Sequence, residues 1–265
     1  MNREQRSKHA HEHYEDIKVR LATETRAGIE NTKVYGPNLT NREIDKEEHV
    51  DHNVRLVELD SVSCLFDEPH NGKVCILNYA SYKHPGGYFL GGSAAQEEAL
   101  CHESNLYPIL LAFDDTYYAW NKERLNKALY LDRALYTPDV VFEHNGQTKK
   151  ADVLTCAAPN FRTGHNYQNV SVAENDSVFN RRIQFMYQIA EENEVDTLIL
   201  GAWGCGVFMQ NPWTTCKMLT ENLIFGKYKI KNVYYAIPNK NSENFKKFED
   251  CLNTWPHTNL YTHNI

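Results

Sequence analysis

The sequence predicts a layered α/β fold, and three observations carry that reading. Short, β-branched apolar runs alternate with segments of helical period. Two of those runs lead straight into glycine-rich loops that open helices. No internal repeat, low-complexity tract or Gly/Ser- or Pro-rich linker divides the 265 residues, so the chain reads as a single domain over 1–265.

The elements follow in order. Tyr14, Ile17, Leu21 and Ala22 recur at helical spacing, which predicts a helix from Glu12 to Ile29 that packs on the sheet. His9, His11 and His13 precede it at alternate positions, and residues 1–12 read as a flexible, solvated polar tail rather than a metal site. Buried strands are expected in VRLVELDSV (54–62), KVCILNYAS (73–81), DVLTCAAPN (152–160), DTLILGAWG (196–204) and NVYYAIPN (232–239). Helices are expected in AAQEEALCHESNLYPIL from Ala94, SVFNRRIQFMYQIAEENE from Ser177 and NPWTTCKMLTENLIFG from Asn211. The stretch from Asp114 to Lys150 breaks the alternation and reads as an insertion of strand pairs with a polar turn at His144 to Gly146.

Composition narrows the class. With 42% hydrophobic and 24% charged residues, the chain has the balance of a soluble globular protein able to bury a sizeable core. A formal charge of −7 provides no basic face, which disfavours sequence-specific nucleic-acid binding. Seven cysteines without CxxC pairs, several inside apolar runs (Cys64, Cys75, Cys156), read as reduced core residues of an intracellular protein. There is no apolar signal-peptide stretch and no run of membrane-spanning length, so the expected setting is the cytoplasm, or the nucleus in a eukaryote, without membrane attachment. The chain is expected to act as a monomer.

The two glycine loops are the informative feature, because open α/β sheets bind ligands at strand ends. After the strand ending near Asn78, Pro85, Gly86, Gly87, Gly91 and Gly92 give a backbone able to approach a ligand closely. After the strand ending at Gly201, Gly204 and Gly206 precede Asn211-Pro212, a helix start signal, so this loop can present successive N–H groups to a diphosphate. Neither loop fits the GxGxxG dinucleotide fingerprint, and GxxxxGK[ST] is absent.

Behind the first loop, Ser93-Ala94-Ala95-Gln96 reads as an S-x-x-Q capping box that starts a helix at Ser93. Glu97 and Glu98 then fall in its first turns. Neighbours on a helix point about 100° apart, so the two carboxyls cannot flank one bond from opposite sides as paired glycosidase carboxylates do. One must exchange the proton while the other holds ligand hydroxyls. A helix N-terminus favours the ionised form, so an acid here needs burial or a nearby phosphate to raise its pKa.

These residues carry a resemblance. PGGYFLGGSAAQEEAL resembles the GGG-x(6-8)-QEE signature of the microbial-type poly(ADP-ribose) glycohydrolases, and LATETRAGI, NYAS, VLTCAAPN and GAWGCGVFMQNP are similar to further stretches of that family. The resemblance runs from about residue 17 to about residue 240. It implies a macrodomain-like three-layer αβα sandwich with a mixed central sheet and an N-terminal helical extension. It also implies ADP-ribose bound between the two loops, a hydrolase acting on poly- or mono-ADP-ribosylated proteins, and no cofactor or metal.

By the same resemblance Glu98 is the general acid and Glu97 holds ribose hydroxyls beyond the scissile bond. Asn78 contacts the distal ribose, Gly86 and Gly87 form the catalytic loop beneath it, and Gln96 belongs to the substrate-binding set. Gly204, Cys205, Gly206 and Val207 cradle the diphosphate through backbone N–H groups, and Phe208 shapes the ribose pocket. Adenine contacts are placed around Thr23 to Thr25 and in AAPN.

The signature's third glycine is Tyr88 in this chain. Either its ring points to solvent, or it narrows the distal site in favour of a short or mono-ADP-ribosyl substrate. Trp203 reads as a core aromatic, and Tyr79 and Tyr82 either line the cleft or pack. The expected function is hydrolysis of O-glycosidic ribose linkages of poly(ADP-ribose), with release of ADP-ribose from chain ends. The alternatives are a mono-ADP-ribosyl hydrolase and a non-catalytic ADP-ribose reader, the latter having no need of two glutamates. A pyridine-dinucleotide oxidoreductase lacks its fingerprint.

Overall fold

The β-branched runs assemble into one sheet with helices on both faces, seen in a computed structural model that describes residues 1–37 and 51–254. The described elements, in chain order, are α1 (Arg3–Arg20), α2 (Ala22–Asn31), β1 (Lys33–Tyr35), β2 (Asn53–Val57), α3 (Ser61–Asp67), β3 (Val74–Tyr79), α4 (Gln96–His102) and α5 (Leu106–Leu111). A π-turn (Asp114–Tyr118) leads into α6 (Ala119–Lys122), followed by β4 (Ala134–His144), β5 (Gln147–Cys156), α7 (Phe161–Gln168) and α8 (Val172–Glu192). The chain continues through β6 (Thr197–Leu200), α9 (Pro212–Gly226), β7 (Asn232–Ala236) and α10 (Glu243–Thr254).

The sheet order is β1-β4-β5-β3-β6-β7-β2. From β5 to β2 every pairing is parallel, whereas β4 pairs antiparallel with both β5 and β1, so the sheet is mixed. Side chains alternate along β3. Cys75 and Leu77 join the core beneath α8, α9 and α10, while Ile76 joins the core beneath α3, α4 and α5. Asn78 falls on the α4 side by the same period, which is how a buried amide comes to face Glu97. The result is the expected three-layer sandwich.

Several local expectations are corrected. Residues 3–20 form a continuous capped helix rather than a flexible tail over 1–12, with Asn2 accepting from the Gln5 N–H at 2.9 Å. The N-terminal helix then breaks at Leu21 into α2. The run 54–62 ends as a strand at Val57, because Asp60 caps α3 by accepting from the N–H groups of Val62 and Ser63. The helix expected from Ala94 splits at Glu103–Asn105. There Asn105 exchanges hydrogen bonds with Val141 of β4, and the Ser104 hydroxyl bonds the Leu100 carbonyl. The insertion is helical in its first half, and only its second half is the expected hairpin. That hairpin turns at Asn145-Gly146 with φ of 48° and 76°, the left-handed pair a tight antiparallel turn requires. Helix α8 starts at Val172 behind a Ser171 cap rather than at Ser177.

Candidate active site

The parallel strands β2, β3, β6 and β7 point the same way, so the loops after Val57, Tyr79, Leu200 and Ala236 gather on one edge of the sheet. A cleft of about 440 Å³ opens there, lined by Asp60, Tyr79, Gln96, Gly204, Val207, Phe208 and Ile237 among others. Two polar atoms in this wall are buried without a hydrogen-bond partner among the described residues, the Tyr79 hydroxyl and Trp203 Nε1.

Both glutamates lie at the start of α4, 3% and 5% exposed, and neither turns to solvent. Glu97 Oε2 accepts from the Ser81 N–H at 2.7 Å, and Oε1 from Asn78 Nδ2 at 3.3 Å. Burial pushes the Glu97 carboxyl up to about 8, with the neighbouring Glu98 adding to the rise and the bonds from Ser81 and Asn78 opposing it. Glu98 Oε1 accepts from the Tyr88 N–H at 2.9 Å, and Oε2 from the Ala95 N–H at 3.1 Å. The helix therefore starts at Gln96, not Ser93. Ser93 belongs to the loop, donating its N–H to the Tyr88 carbonyl, and Glu98 supplies the back-reaching half of a capping box.

The two carboxyls converge on Gly87. With φ of 63° its backbone is left-handed, and a Cβ there would lie 2.5 Å from Glu98 Oε1 and 3.1 Å from Glu97 Oε2. Glycine at this position lets the main chain lie against both acids. Gly86, with φ of 65°, is left-handed as well, and its missing Cβ leaves room for the Tyr107 ring. Asn78 is fully buried, donates also to Thr155 at 3.3 Å, and keeps a buried Oδ1 without a partner among the described residues. The carboxyls are not part of the cleft wall; Gln96 beside them is, so they sit behind its end under the loop.

The second loop lines the cleft, with one of its expected residues turned away. Gly204, Gly206, Val207 and Phe208 line the cleft, and nothing lies within 4 Å of where a Gly206 Cβ would be. Cys205 does not take part as expected. Its N–H closes a turn onto the Ala202 carbonyl at 3.1 Å, and its thiol turns back to Thr215 of α9 at 3.4 Å. Asn211 and Pro212 start α9 as their sequence signals, the Asn211 side chain accepting from the Thr214 N–H at 3.0 Å.

Other expected residues move roles. Gln96 binds the protein itself. It accepts from the Tyr79 N–H at 2.9 Å and donates to the Leu77 carbonyl and the Ser61 hydroxyl, so it ties α4 to β3 while lining the cleft. The Tyr88 ring folds over Gly91 beneath the Arg3 guanidinium, 5.3 Å away, and is 59% exposed outside the cleft. Thr25 bonds Asn105 beneath α5, and residues 23–25 are not in the cleft wall, whereas Ala158 of AAPN is. Tyr82 packs, stacking on Tyr130 with ring centroids 4.2 Å apart. Trp203 is a core aromatic whose edge reaches the cleft.

The sequence reading missed the cleft wall formed by Asp60, Ser61, Ile237 and Asn244. Asp60-Ser61 before an apolar run is a helix start signal, hidden here by the β-branched residues on either side. Among the described residues no group of three or more His, Cys, Asp or Glu side chains is placed to hold a metal ion, and no helix is long and apolar enough to cross a membrane.

Comparison with known proteins agrees with this geometry. Among solved structures, the poly(ADP-ribose) glycohydrolase of Thermomonospora curvata superimposes with a TM-score of 0.80 at 25% identity, over 94% of this chain and 100% of its own. The Deinococcus radiodurans poly(ADP-ribose) glycohydrolase, solved in complex with ADP-ribose, gives a TM-score of 0.75 at 25% identity over 87% of this chain and 97% of its own. No curated protein matches. The family model of the microbial-type PARG catalytic domain matches residues 4–145. The chain belongs to that family of glycoside-hydrolase-type enzymes.

Proposed function

We propose that the protein hydrolyses the O-glycosidic ribose–ribose linkages of poly(ADP-ribose) and releases ADP-ribose from chain ends. The observation that supports this reading is the convergence of two buried carboxyls on the left-handed Gly87, behind a cleft edged by the glycine loop with Gly204, Gly206, Val207 and Phe208. The cleft takes the terminal ADP-ribose, with its diphosphate at Gly206, Val207 and Phe208 and its distal ribose towards Asn78. Seven free thiols suit a reducing compartment, and we place the enzyme in the cytoplasm.

In the reaction a carboxyl protonates the leaving ribose oxygen as the anomeric C–O bond breaks, leaving an oxocarbenium-like sugar. The resulting carboxylate then takes a proton from water as the water oxygen bonds to the anomeric carbon, which regenerates the acid. Glu98 is the proposed acid and base, with Glu97 and Asn78 holding ribose hydroxyls. The two backbone N–H groups on Glu98 stabilise its carboxylate after proton donation. Glu98→Gln is expected to lower the rate of ADP-ribose release from polymer at least about a hundredfold while ADP-ribose still binds. If the wild type binds ADP-ribose but cleaves neither poly- nor mono-ADP-ribosylated substrates, the protein is a reader.

One observation favours a second assignment within the same reaction. Burial, which pushes the Glu97 carboxyl up to about 8, favours its protonated form in the ligand-free protein. Were Glu97 the acid, Glu97→Gln would abolish turnover, and Glu98→Gln would keep both turnover and the alkaline limb of the pH–rate profile.

A further inference from the structure

The first turns of α1 consist almost wholly of polar residues, and along its 18 residues only Ala10 and Ile17 are buried. Apolar burial is a weak reason for such a helix to stay docked. Its polar groups supply another. Residues 3, 6 and 7 share one helical face, and they engage three consecutive carbonyls of the glycine loop. The Ser7 hydroxyl donates to Leu90 O at 2.5 Å, Arg3 Nε to Gly91 O at 3.0 Å, and Arg6 Nε to Gly92 O at 2.9 Å. Gly92, with φ of 75°, lies directly against the α1 backbone at Arg3 O, and any Cβ there would overlap it. Arg3 also covers the Tyr88 ring. The pair Gly91-Gly92 therefore serves contact with Tyr88 and α1, not ligand approach. The same loop delivers the Tyr88 N–H to Glu98.

We infer that Arg3, Arg6 and Ser7 are positioning residues that hold the catalytic loop in register with Glu98 by fixing the carbonyls of residues 90–92. The inference rests on the reading of Glu97 and Glu98 as the reacting pair. Arg6 Nη1 bonds the Met1 carbonyl as well, which stiffens the helix start against the loop. Removing these contacts frees the loop to drift from the acid, while the adenosine and diphosphate side of the cleft, built from other elements, stays as it is. The signature is a fall in kcat without a matching loss of ADP-ribose affinity.

The test compares wild type with Ser7→Ala, Arg6→Ala, Arg6→Lys and the triple variant R3A/R6A/S7A. The readouts are kcat and KM on poly(ADP-ribose), calorimetric Kd for ADP-ribose, and hydrogen exchange at the Tyr88 amide. The triple variant is expected to lose at least about tenfold in kcat with Kd within about twofold, consistent with loss of several net hydrogen bonds from the positioned state. Tyr88 exchange is expected to accelerate, and Arg6→Lys to retain more kcat than Arg6→Ala. Wild-type kcat and exchange in the triple variant overturn the inference, as does a fall in kcat matched by equal loss of ADP-ribose binding. Should the triple variant not fold, Ser7→Ala decides on the same readouts, with unchanged kcat and exchange counting against. If wild type releases no ADP-ribose from polymer, the proposed activity fails by itself, and the Tyr88 exchange rates alone decide whether α1 positions the loop.

Discussion

Glu97 and Glu98 are adjacent in the chain yet are held by different partners, an amide and the Ser81 N–H for one, the N–H groups of Tyr88 and Ala95 for the other. The pair was legible in the sequence because it follows a glycine loop at a strand end. Which member has its pKa raised was not, since that follows from burial in the folded core, opposed by hydrogen bonds from Ser81 and Asn78 of the preceding strand and loop. The raised Glu97 pKa has a consequence for stability. Between the ordinary carboxyl value of 4.5 and about 8 the folded protein keeps the Glu97 proton while the unfolded chain releases it. The contribution is fully present below pH 4.5 and is lost as pH rises to about 8. Melting temperature is therefore expected to fall across that window in wild type, and less steeply in Glu97→Gln. Parallel curves would show that Glu97 ionises normally.

At the scale of elements, local signals succeeded where one residue decides the geometry and failed where a distant partner does. Asn211-Pro212 and the Asn145-Gly146 turn are as written in the sequence. The start of α4 is not, because Ser93 is claimed by the loop turn through Tyr88 O. The division of α4 from α5 is likewise imposed by β4 through Asn105. Tyr88 illustrates the difference between composition and placement. Its bulk in a glycine signature left two placements open, towards solvent or narrowing the site, and the ring takes the first, exposed on Gly91 under Arg3. Tyr88→Gly is accordingly expected to leave ADP-ribose affinity within about twofold of wild type, a shift under about 0.4 kcal/mol. A several-fold gain in affinity would place the ring in the ligand's path after all.

For the whole molecule, alternation of strands and helices was enough to indicate the layered sheet, and the buried ion pair that ties its insertion down was not. Arg182 of α8 is fully buried and donates to Asp132 Oδ1 at 2.5 Å and to the Ala157 carbonyl at 2.5 Å, with a longer bond to Leu129 O. It joins the segment before β4 and the end of β5 to the opposite helical layer. In the sequence it reads as one more charged residue on a helix. Arg182→Ala leaves Asp132 with only the more exposed Arg181 and strips two carbonyls of their donor. Urea unfolding is expected to show a loss of about 3 kcal/mol, and a loss below about 0.5 kcal/mol, the range of ordinary surface changes, would count against that role.

Among the described residues the edge strand β2 pairs with β7 alone, and its first residue, Asn53, meets Asn232, 179 positions later. A ribosome must therefore pass Ala236 before β2 meets this partner. Until then Asp60 and α3, which supply one wall of the cleft, are joined to an unmatched ribbon of backbone. Catalytic competence during synthesis arrives late and all at once, and a chain cut short before β7 would leave that ribbon open to adhesion with other chains.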